Sequence, residues 1–325
     1  MGVTQVETVL GAVPTAELGA TLMHEHVFVL TADSQANWEA GAWDEEERVA
    51  DAVRRLREVR DAGITTLVDP TVDGLGRDVP RIRRIAERVP GLNIIVATGI
   101  YTYADVPGYF RFRGPGLLPG LPEPMVELFV RDIREGIQGT DSKAAFIKCA
   151  IDSHGLTPGV ERVMRAAAGA HRETGVPIMV HTHPRSRTGL AVRRVLAEEG
   201  VPPGRVILAH SGDTTDADHL TELAESGFIL GMDRFGIDVE LPFEDRVAIV
   251  AEMARRGYAD RMVLSQDTAC LIDWVQPDFL PALPNWNYLH VLRDVVPALR
   301  ERGLDEKDID AMLVRTPRAW FERTT

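Results

Sequence analysis

The segment Ala20–Val29 reads ATLMHEHVFV, an apolar run into which a His-Glu-His triplet is set. Short apolar runs of this kind are typical of strands buried in a parallel sheet. An open, doubly wound sheet would carry a glycine-rich phosphate-binding turn after its first strand, where this chain has histidines instead. Because side chains alternate along a strand, we expect His24 and His26 on one face and Glu25 on the other.

Seven more apolar runs follow, and a stretch with helical periodicity comes after each of the eight runs. The predicted strands are Ala20–Val29, Thr65–Thr71, Asn93–Tyr101, Ala144–Ile151, Pro177–His183, Arg205–Gly212, Phe228–Arg234 and Arg261–Asp267. The predicted helices are Asp44–Asp61, Val79–Val89, Glu123–Gln138, Pro158–Thr174, Gly189–Glu199, Asp216–Ser226, Phe243–Arg256 and Asn287–Arg302. Eight alternating units predict an α/β fold of the (β/α)8 TIM barrel type. We expect a single domain over residues 1–325 that opens with a short hairpin at about residues 1–19.

Charge and hydropathy exclude several classes of function. The chain has 36 basic and 49 acidic residues, a net charge of −13, so we expect no nucleic-acid partner. It has no apolar run of roughly 18 residues that could span a membrane, and its N-terminus lacks the pattern of a secretory signal. Two cysteines, Cys149 and Cys270, allow at most one disulfide. These features predict a cytoplasmic protein without a membrane partner.

Polar residues stand where the predicted strands end, and in a barrel of this type the active site lies at that end. They are His24, His26, Lys148, His181, His210 and Asp267. A single histidine at such a position is usually only hydrogen-bonded, and an aspartate alone could cap a helix. Four imidazoles, a carboxylate and a lysine that converge on one mouth predict a metal centre, and these ligands suit zinc, cobalt, iron or manganese.

Lys148 is unusual because the chain has only three lysines among its 36 basic residues. It stands in the apolar run Phe146–Ile151, where burial would penalise its charge and lower its pKa. A neutral amine can capture carbon dioxide, and the resulting carbamate (N6-carboxylysine) could bridge two cations, which arginine could not do. The alternative is a lysine that extends to the rim or pairs with a carboxylate.

Several stretches around these residues resemble the phosphotriesterase family of the amidohydrolase superfamily, and within it the phosphotriesterase-like lactonases. They are Leu22–His26, Val68–Thr71, Gly74–Asp78, Thr98–Tyr101, Glu135–Thr140, Gly231–Arg234 and Ile272–Trp274. The resemblance covers nearly the whole chain and keeps its motifs in order. The chain differs from the family pattern at two places. Gln266 precedes Asp267 where some relatives carry histidine, and the segment His181–His183 offers two imidazoles, those of His181 and His183, as candidate ligands.

The resemblance implies a role for each matching residue. His24, His26 and Asp267 would hold a more buried divalent metal ion, and His181 and His210 a more exposed one. Carboxylated Lys148 and a hydroxide would bridge the two ions, and the hydroxide would open a lactone ring. Tyr101 would orient the substrate or donate a proton to it, Arg234 would lie near the pocket mouth, and Asp267 would pass a proton to the leaving oxygen.

An apolar loop at about residues 268–286, loop 8, guides the prediction of the substrate. Leu271, Ile272, Trp274 and Phe279 are candidate substrate-binding residues that could line a channel for an acyl chain. An acyl chain beside a lactone indicates N-acyl-homoserine lactones, the bacterial quorum signals, or related γ- and δ-lactones. The same loop could instead cap the barrel or pack in the homodimer that the resemblance implies.

Three other functions remain open at this stage. The first is a phosphotriester (organophosphate) hydrolase, since the resemblance implies at least weak activity of that kind. The second is a mononuclear deaminase of the same superfamily, although that type lacks the lysine on the fourth strand. The third is a non-catalytic relative that binds a ligand or partner, although such relatives usually lose metal ligands.

Overall fold

Eight parallel strands form the barrel in the computed structural model, which describes residues 4–38 and 44–322. In chain order the barrel strands are β1 Thr21–Leu22, β2 Thr66–Asp69, β3 Asn93–Gly99, β4 Phe146–Ala150, β5 Ile178–His181, β6 Val206–Ala209, β7 Ile229–Met232 and β8 Met262–Leu264. Each strand pairs with its neighbour in sequence. The backbone N–H of Met23 donates to the carbonyl of Leu264 (3.4 Å) and that of Asp267 to the carbonyl of His24 (3.1 Å), which joins β8 to β1. The predicted (β/α)8 barrel is therefore confirmed.

One principal helix follows each strand. These helices are α1 Glu45–Asp61, α2 Val79–Ala86, α3 Pro124–Arg134, α4 Pro158–Thr174, α5 Thr188–Glu198, α6 Ala217–Glu225, α7 Phe243–Arg255 and α8 Val296–Glu301, the last preceded by a π-helical turn Val291–Val295. Side-chain caps explain several starts: Asp44, Thr157 and Asp216 each accept a hydrogen bond from a backbone N–H three residues on. The apolar faces of the helices pack on the outside of the sheet.

The first predicted strand is wrong in its extent. Instead of one strand over Ala20–Val29, the chain forms β1 and a separate short strand, Phe28–Val29, that pairs in parallel with Leu271–Ile272. The regular ladder with β2 ends at Leu22. The N–H of Glu25 still bonds to the carbonyl of Val68 in β2, but the N–H of His26 bonds to the carbonyl of Thr268 in loop 8. Loop 8 consequently contains a short strand, and it also contains a 3-10 helix, Pro277–Ala282.

Additional elements close the N-terminal end of the barrel. The antiparallel strands Gln5–Thr8 and Gly11–Pro14 form a hairpin, whose Val9 N–H bonds to the carbonyl of Ile94 in β3. Residues 1–3 of the expected hairpin segment and 323–325 of the expected domain lie outside the described residues. The C-terminal segments Glu306–Asp310, Ala311–Arg315 and Thr316–Glu322 are helical, which the sequence interpretation did not predict. Trp320 from this region is fully buried and packs on Phe146 in the barrel interior.

Further short helical turns, Ala32–Asn37 and Gly108–Arg111, lie in the loops after β1 and β3. No helix among the described residues is both long enough and apolar enough to cross a lipid bilayer.

Candidate metal centre

The six candidate ligands meet at the C-terminal mouth of the barrel. His24 and His26 follow β1, Lys148 lies in β4, His181 ends β5, and His210 and Asp267 follow β6 and β8; all but Asp267 are buried, and Asp267 is nearly so. The structure therefore brings together residues that are separated by up to 243 positions (267 − 24) in the chain.

Two ligand groups can be distinguished by their distances. Oδ1 of Asp267 lies 3.5 Å from Nε2 of His24 and 3.3 Å from Nε2 of His26, so these three atoms could surround one cation. The rings of His181 and His210 meet edge to face, with centroids 4.4 Å apart and an interplanar angle of 75°. Nζ of Lys148 lies 3.5 Å from Nε2 of His24, on the floor of the same site.

Backbone conformation helps to aim two of the ligands. His210 and Asp267 have φ angles of 66° and 54°, in the left-handed region that non-glycine residues rarely adopt. Both are held there by hydrogen bonds from their own N–H groups, to Asp233 and to the carbonyl of His24 respectively. Such conformations persist where the surroundings over-determine them, and they cluster at functional sites.

Each histidine uses one ring nitrogen to contact a protein partner. Nδ1 of His24 and Nδ1 of His210 each lie 3.0 Å from the carboxylate of Asp233. Nε2 of His181 lies 2.7 Å from Oδ2 of Asp152, which leaves its Nδ1 facing the site. Partners of this kind fix the tautomer and ring orientation of histidines that bind a metal.

The fourth histidine is held through a hydroxyl. Nδ1 of His26 lies 2.7 Å from Oγ1 of Thr71, and that hydroxyl donates to Oδ1 of Asp69. The sequence interpretation gave no role to Thr71, Asp69, Asp152 or Asp233. Their position at or just beyond the ends of β2, β4 and β7 is the signal that could have indicated them.

The electrostatics of the site favour neutral ligands. Burial lowers the pKa of His24, His181 (to about 4) and His210, so their imidazoles are neutral at physiological pH. Burial also lowers the pKa of Lys148 to about 8, which makes its neutral amine accessible.

His26 and Asp267 depart from their ordinary pKa values because they face each other. Burial alone would lower the pKa of His26, but the carboxylates of Asp267 and Asp69 raise it to about 9. Burial would raise the pKa of Asp267, but His24, His26, His210 and Arg234 hold it well below its usual range. Three neutral imidazoles and an ionised carboxylate, with His26 as a fourth imidazole once it has lost its proton, form a donor set that fits zinc and similar divalent cations.

A cavity of about 290 Å³ opens directly onto the candidate ligands. Tyr101, Arg234, Ile272, Trp274 and Phe279 line it, and so do Val275, Leu283 and Trp286, which belong to the apolar loop 8. The sequence interpretation did not propose the other lining residues: Val29, Leu75, Tyr103, Ile237, Val239 and Ala269. Leu271 is not among the lining residues, because it packs against the core on the opposite face of its short strand.

Tyr101 and Arg234 contact the site from two sides. The Tyr101 hydroxyl lies 3.3 Å from Nδ1 of His181 and 2.8 Å from the hydroxyl of Tyr103. Nε of Arg234 donates to Oδ2 of Asp267 (3.0 Å), and its Nη1 donates to Asp213 (3.0 Å). Burial raises the pKa of Tyr101 well above 10, so its hydroxyl remains a proton donor at neutral pH.

The second histidine of the His181-Thr182-His183 segment is turned away from the ligands. Nδ1 of His183 lies 2.8 Å from Oγ of Ser186, in the turn that follows β5. Cys270 lies near the site in sequence, but its thiol is buried against the hydroxyl of Tyr288 at 3.2 Å.

A (β/α)8 barrel with imidazoles, a carboxylate and a buried lysine at its C-terminal mouth is the architecture of a metal-dependent hydrolase. Comparison with known proteins identifies the family to which the chain belongs. The model of the phosphotriesterase family matches residues 4–321, so the chain belongs to the phosphotriesterase family. The family resemblance found in the sequence is thereby confirmed.

Individual relatives cover almost the whole chain. The chain is 52% identical over 320 residues to a phosphotriesterase homology protein of Mycobacterium tuberculosis, with 98% of each chain covered. It is 37% identical over 313 residues to an aryldialkylphosphatase of Saccharolobus solfataricus, covering 95% of this chain and 97% of that one. The solved structure of the phosphotriesterase from Mycobacterium tuberculosis matches with a TM-score of 0.96 and 53% identity, over 98% of each chain.

Proposed function

We propose that this protein is a binuclear metal-dependent lactonase that opens the ring of N-acyl-homoserine lactones or related γ- and δ-lactones, and so quenches quorum signals. The observation that supports this most directly is the cavity, whose floor is the ligand cluster and whose walls are mostly apolar. A lactone ring would meet the polar floor, and an acyl chain would extend along Ile272, Trp274 and Phe279.

Two divalent ions, chosen from zinc, cobalt, iron and manganese, fit the ligand set. His24, His26 and Asp267 would hold one ion and His181 and His210 the other, with carboxylated Lys148 between them. When bound, the ions supply a hydroxide at neutral pH and polarise the carbonyl that it attacks. The carbamate forms when the Nζ lone pair of Lys148 attacks carbon dioxide and the product loses one proton.

The chain's own groups orient the substrate and move the proton. Tyr101 can donate a hydrogen bond to the ring or carbonyl oxygen of a lactone, since its hydroxyl faces the cavity. Asp267 would accept the proton of the attacking hydroxide and pass it to the leaving alkoxide. Arg234 cannot relay that proton toward Asp213, because a guanidinium does not give up a proton in proteins. The proton therefore stays at the site until the ring oxygen takes it.

A phosphotriester hydrolase is the second candidate, and the names of the relatives favour it. An aryldialkylphosphatase is 37% identical to this chain. We propose that phosphotriester hydrolysis is here a weak side activity, because a tetrahedral phosphoryl centre resembles the intermediate of lactone opening. The apolar walls around Trp274 and Phe279 suit a long acyl chain better than a compact triester.

We also propose that the protein is a cytoplasmic homodimer. Tyr109, Phe112, Leu117 and Leu118, in the loop after β3, are exposed apolar side chains, and clusters of this kind often mark an interaction surface. Light scattering on the purified protein tests the proposed dimer, and a mass equal to that of one chain would contradict it.

The experiment that tests the function is a side-by-side rate comparison with metal-loaded protein in bicarbonate buffer. Proton release would be followed on N-acyl-homoserine lactones from butanoyl to dodecanoyl, on a simple δ-lactone and on a paraoxon-like triester. We expect turnover of the acylated lactones to rise with chain length and to exceed that of the triester. A protein that holds two metals and prefers the triester would replace this proposal with the second candidate.

A further inference from the structure

Asp233 lies behind the metal centre and contacts a histidine from each half of it. Its Oδ2 lies 3.0 Å from Nδ1 of His24, and its Oδ1 lies 3.0 Å from Nδ1 of His210. Oδ1 also accepts the backbone N–H of His210 at 2.7 Å. The carboxylate is buried, with 1% of the residue exposed, so these contacts are shielded from bulk water.

The space for this carboxylate comes from Gly231, two residues earlier on β7. A Cβ atom at Gly231 would lie 2.4 Å from Oδ2 of Asp233 and 2.9 Å from Cα of Ala209. Any side chain there would displace the carboxylate or separate β7 from β6. The missing side chain at Gly231 therefore leaves room for the Asp233 carboxylate, which accepts hydrogen bonds from His24 on one side and from His210 on the other.

We propose that Asp233 is a positioning residue shared by the two metal sites, which holds His24 and His210 as Nδ1–H tautomers with their Nε2 atoms free to bind metal. This inference rests on the proposed two-metal centre. It follows from hydrogen-bond chemistry: a carboxylate only accepts, so both facing Nδ1 atoms must carry the proton. The remaining lone pair of each ring then lies on Nε2, which faces the site.

Asp152 provides a contrast, because it contacts a histidine of one site only. Its Oδ2 lies 2.7 Å from Nε2 of His181, which leaves Nδ1 as the ligand atom. Loss of Asp152 should therefore weaken the second site alone, while loss of Asp233 should weaken both. Removal of such supporting partners typically costs about 10–100-fold in metal affinity.

Asp233→Asn tests the inference more specifically than removal of the carboxylate in Asp233→Ala does. The amide oxygen is expected in place of Oδ1, where it accepts both the N–H and the Nδ1–H of His210. The amide NH2 then faces Nδ1 of His24 and donates to it, which moves the His24 proton to Nε2 and blocks that ligand atom. The isosteric variant should therefore weaken the His24 site and spare the His210 site.

The test begins from the full-length protein loaded with zinc, and measures the zinc retained per chain against a rising chelator concentration. Each of the two sites should release its zinc ion at its own chelator concentration. For Asp233→Ala we expect both of these concentrations to fall by about 10–100-fold. For Asp152→Asn only that of the His181 site should fall, and for Asp233→Asn only that of the His24 site. Asp132→Asn is the matched control, since Asp132 is buried and bonded to Arg77 and Thr98 but touches no histidine. It should leave both concentrations unchanged.

A second measurement reports the tautomers directly and does not depend on activity. In zinc-loaded protein labelled with 15N-histidine, His24 and His210 should each give an Nδ1–H correlation, and Asp233→Asn should lose that of His24 only. Two bound zinc ions with unchanged release and unchanged correlations in both Asp233 variants would overturn this inference and leave the two-metal centre intact. If the wild-type chain binds only one zinc ion, the proposed two-metal centre is wrong, and Asp233 cannot be shared between two metal sites.

Discussion

Tyr101 shows how one hydroxyl can matter for catalysis without holding a metal. Its oxygen contacts Nδ1 of His181 at 3.3 Å and lines the cavity, but phenols are outside the proposed ligand set. We predict that Tyr101→Phe lowers the kcat of lactone opening by about 100-fold, the scale of a lost hydrogen-bond donor to the reacting oxygen. Zinc content, measured by elemental analysis, should remain that of the wild type.

Tyr103→Phe is the matched control for this prediction. It removes the same kind of hydroxyl from the neighbouring ring, which contacts Tyr101 at 2.8 Å, and it leaves the Tyr101 hydroxyl in place. We expect a change in kcat of less than about tenfold. Equal rates for wild type and Tyr101→Phe would remove Tyr101 from the mechanism.

We expect two residues, His26 and Lys148, to determine the pH dependence of metal binding. In the metal-free protein His26 has a pKa of about 9, raised by Asp267 and Asp69 against the effect of burial, and Lys148 has a pKa lowered to about 8 by burial. Both groups must lose a proton before they can serve as ligand and carbamate. Protons therefore compete with metal below about pH 8, and the competition ends above about pH 9.

We predict that the apparent zinc affinity rises at least about tenfold per pH unit from about pH 6 to 8, rises more slowly from about pH 8 to 9, and then levels off. Chelator-competition titrations at fixed bicarbonate concentration would measure it. An affinity that is independent of pH over this interval would show that neither group gives up a proton on binding.

At the scale of elements, loop 8 shapes the cavity wall. Its strand Leu271–Ile272 turns Ile272 toward the cavity and Leu271 toward the core, and its 3-10 helix Pro277–Ala282 presents Phe279. The side chain of Asn285 bonds to Asp238 in the loop after β7 at 2.8 Å, and Trp286 donates to the carbonyl of Asp267 at 2.9 Å. The loop is thus connected to the site at more than one point.

We predict that Phe279→Ala lowers kcat/KM for dodecanoyl-homoserine lactone by about tenfold or more and leaves the butanoyl compound nearly unchanged, since only the longer chain reaches this ring. Leu280→Ala is the control, because Leu280 is the adjacent exposed apolar residue and does not line the cavity. A uniform loss across chain lengths in Phe279→Ala would argue against an acyl channel.

Helices were more predictable than strands. α4, Pro158–Thr174, has the predicted bounds, because Thr157 caps its start and Gly175 ends it with a φ of 73°. The strands are shorter than predicted, since apolar residues continue beyond the last ladder hydrogen bond into the mouth of the barrel. The run Ala20–Val29 is the extreme case, where periodicity alone could not show that the regular strand ends at Leu22, before the histidines.

At the scale of the whole molecule, metal binding and folding are linked. The ligands come from β1, β4, β5, β6 and β8, so the site exists only when the barrel is closed. We predict that removing the metal lowers the free energy of unfolding by about 4 kcal/mol for each zinc ion bound, relative to free zinc at 1,000 times the Kd of that ion. Urea unfolding with chelator and after zinc is restored would measure this, and equal midpoints would show that zinc does not stabilise the fold.

The sequence by itself determined the alternation of strands and helices, and it placed histidines, Lys148 and Asp267 at the barrel mouth. These features are local, because strand and helix periodicity and residue chemistry are written in neighbouring positions. The motifs around these residues also indicated the phosphotriesterase family.

Only the tertiary structure decided which ring nitrogen of each histidine faces the site, and that Leu271 packs against the core and not along the cavity. The partner of His24 is Asp233, 209 residues away in the chain, and the partner of His181 is Asp152, from the preceding strand's end. A tautomer depends on the hydrogen-bond partner that the other nitrogen meets, and for these histidines closure of the barrel supplies that partner.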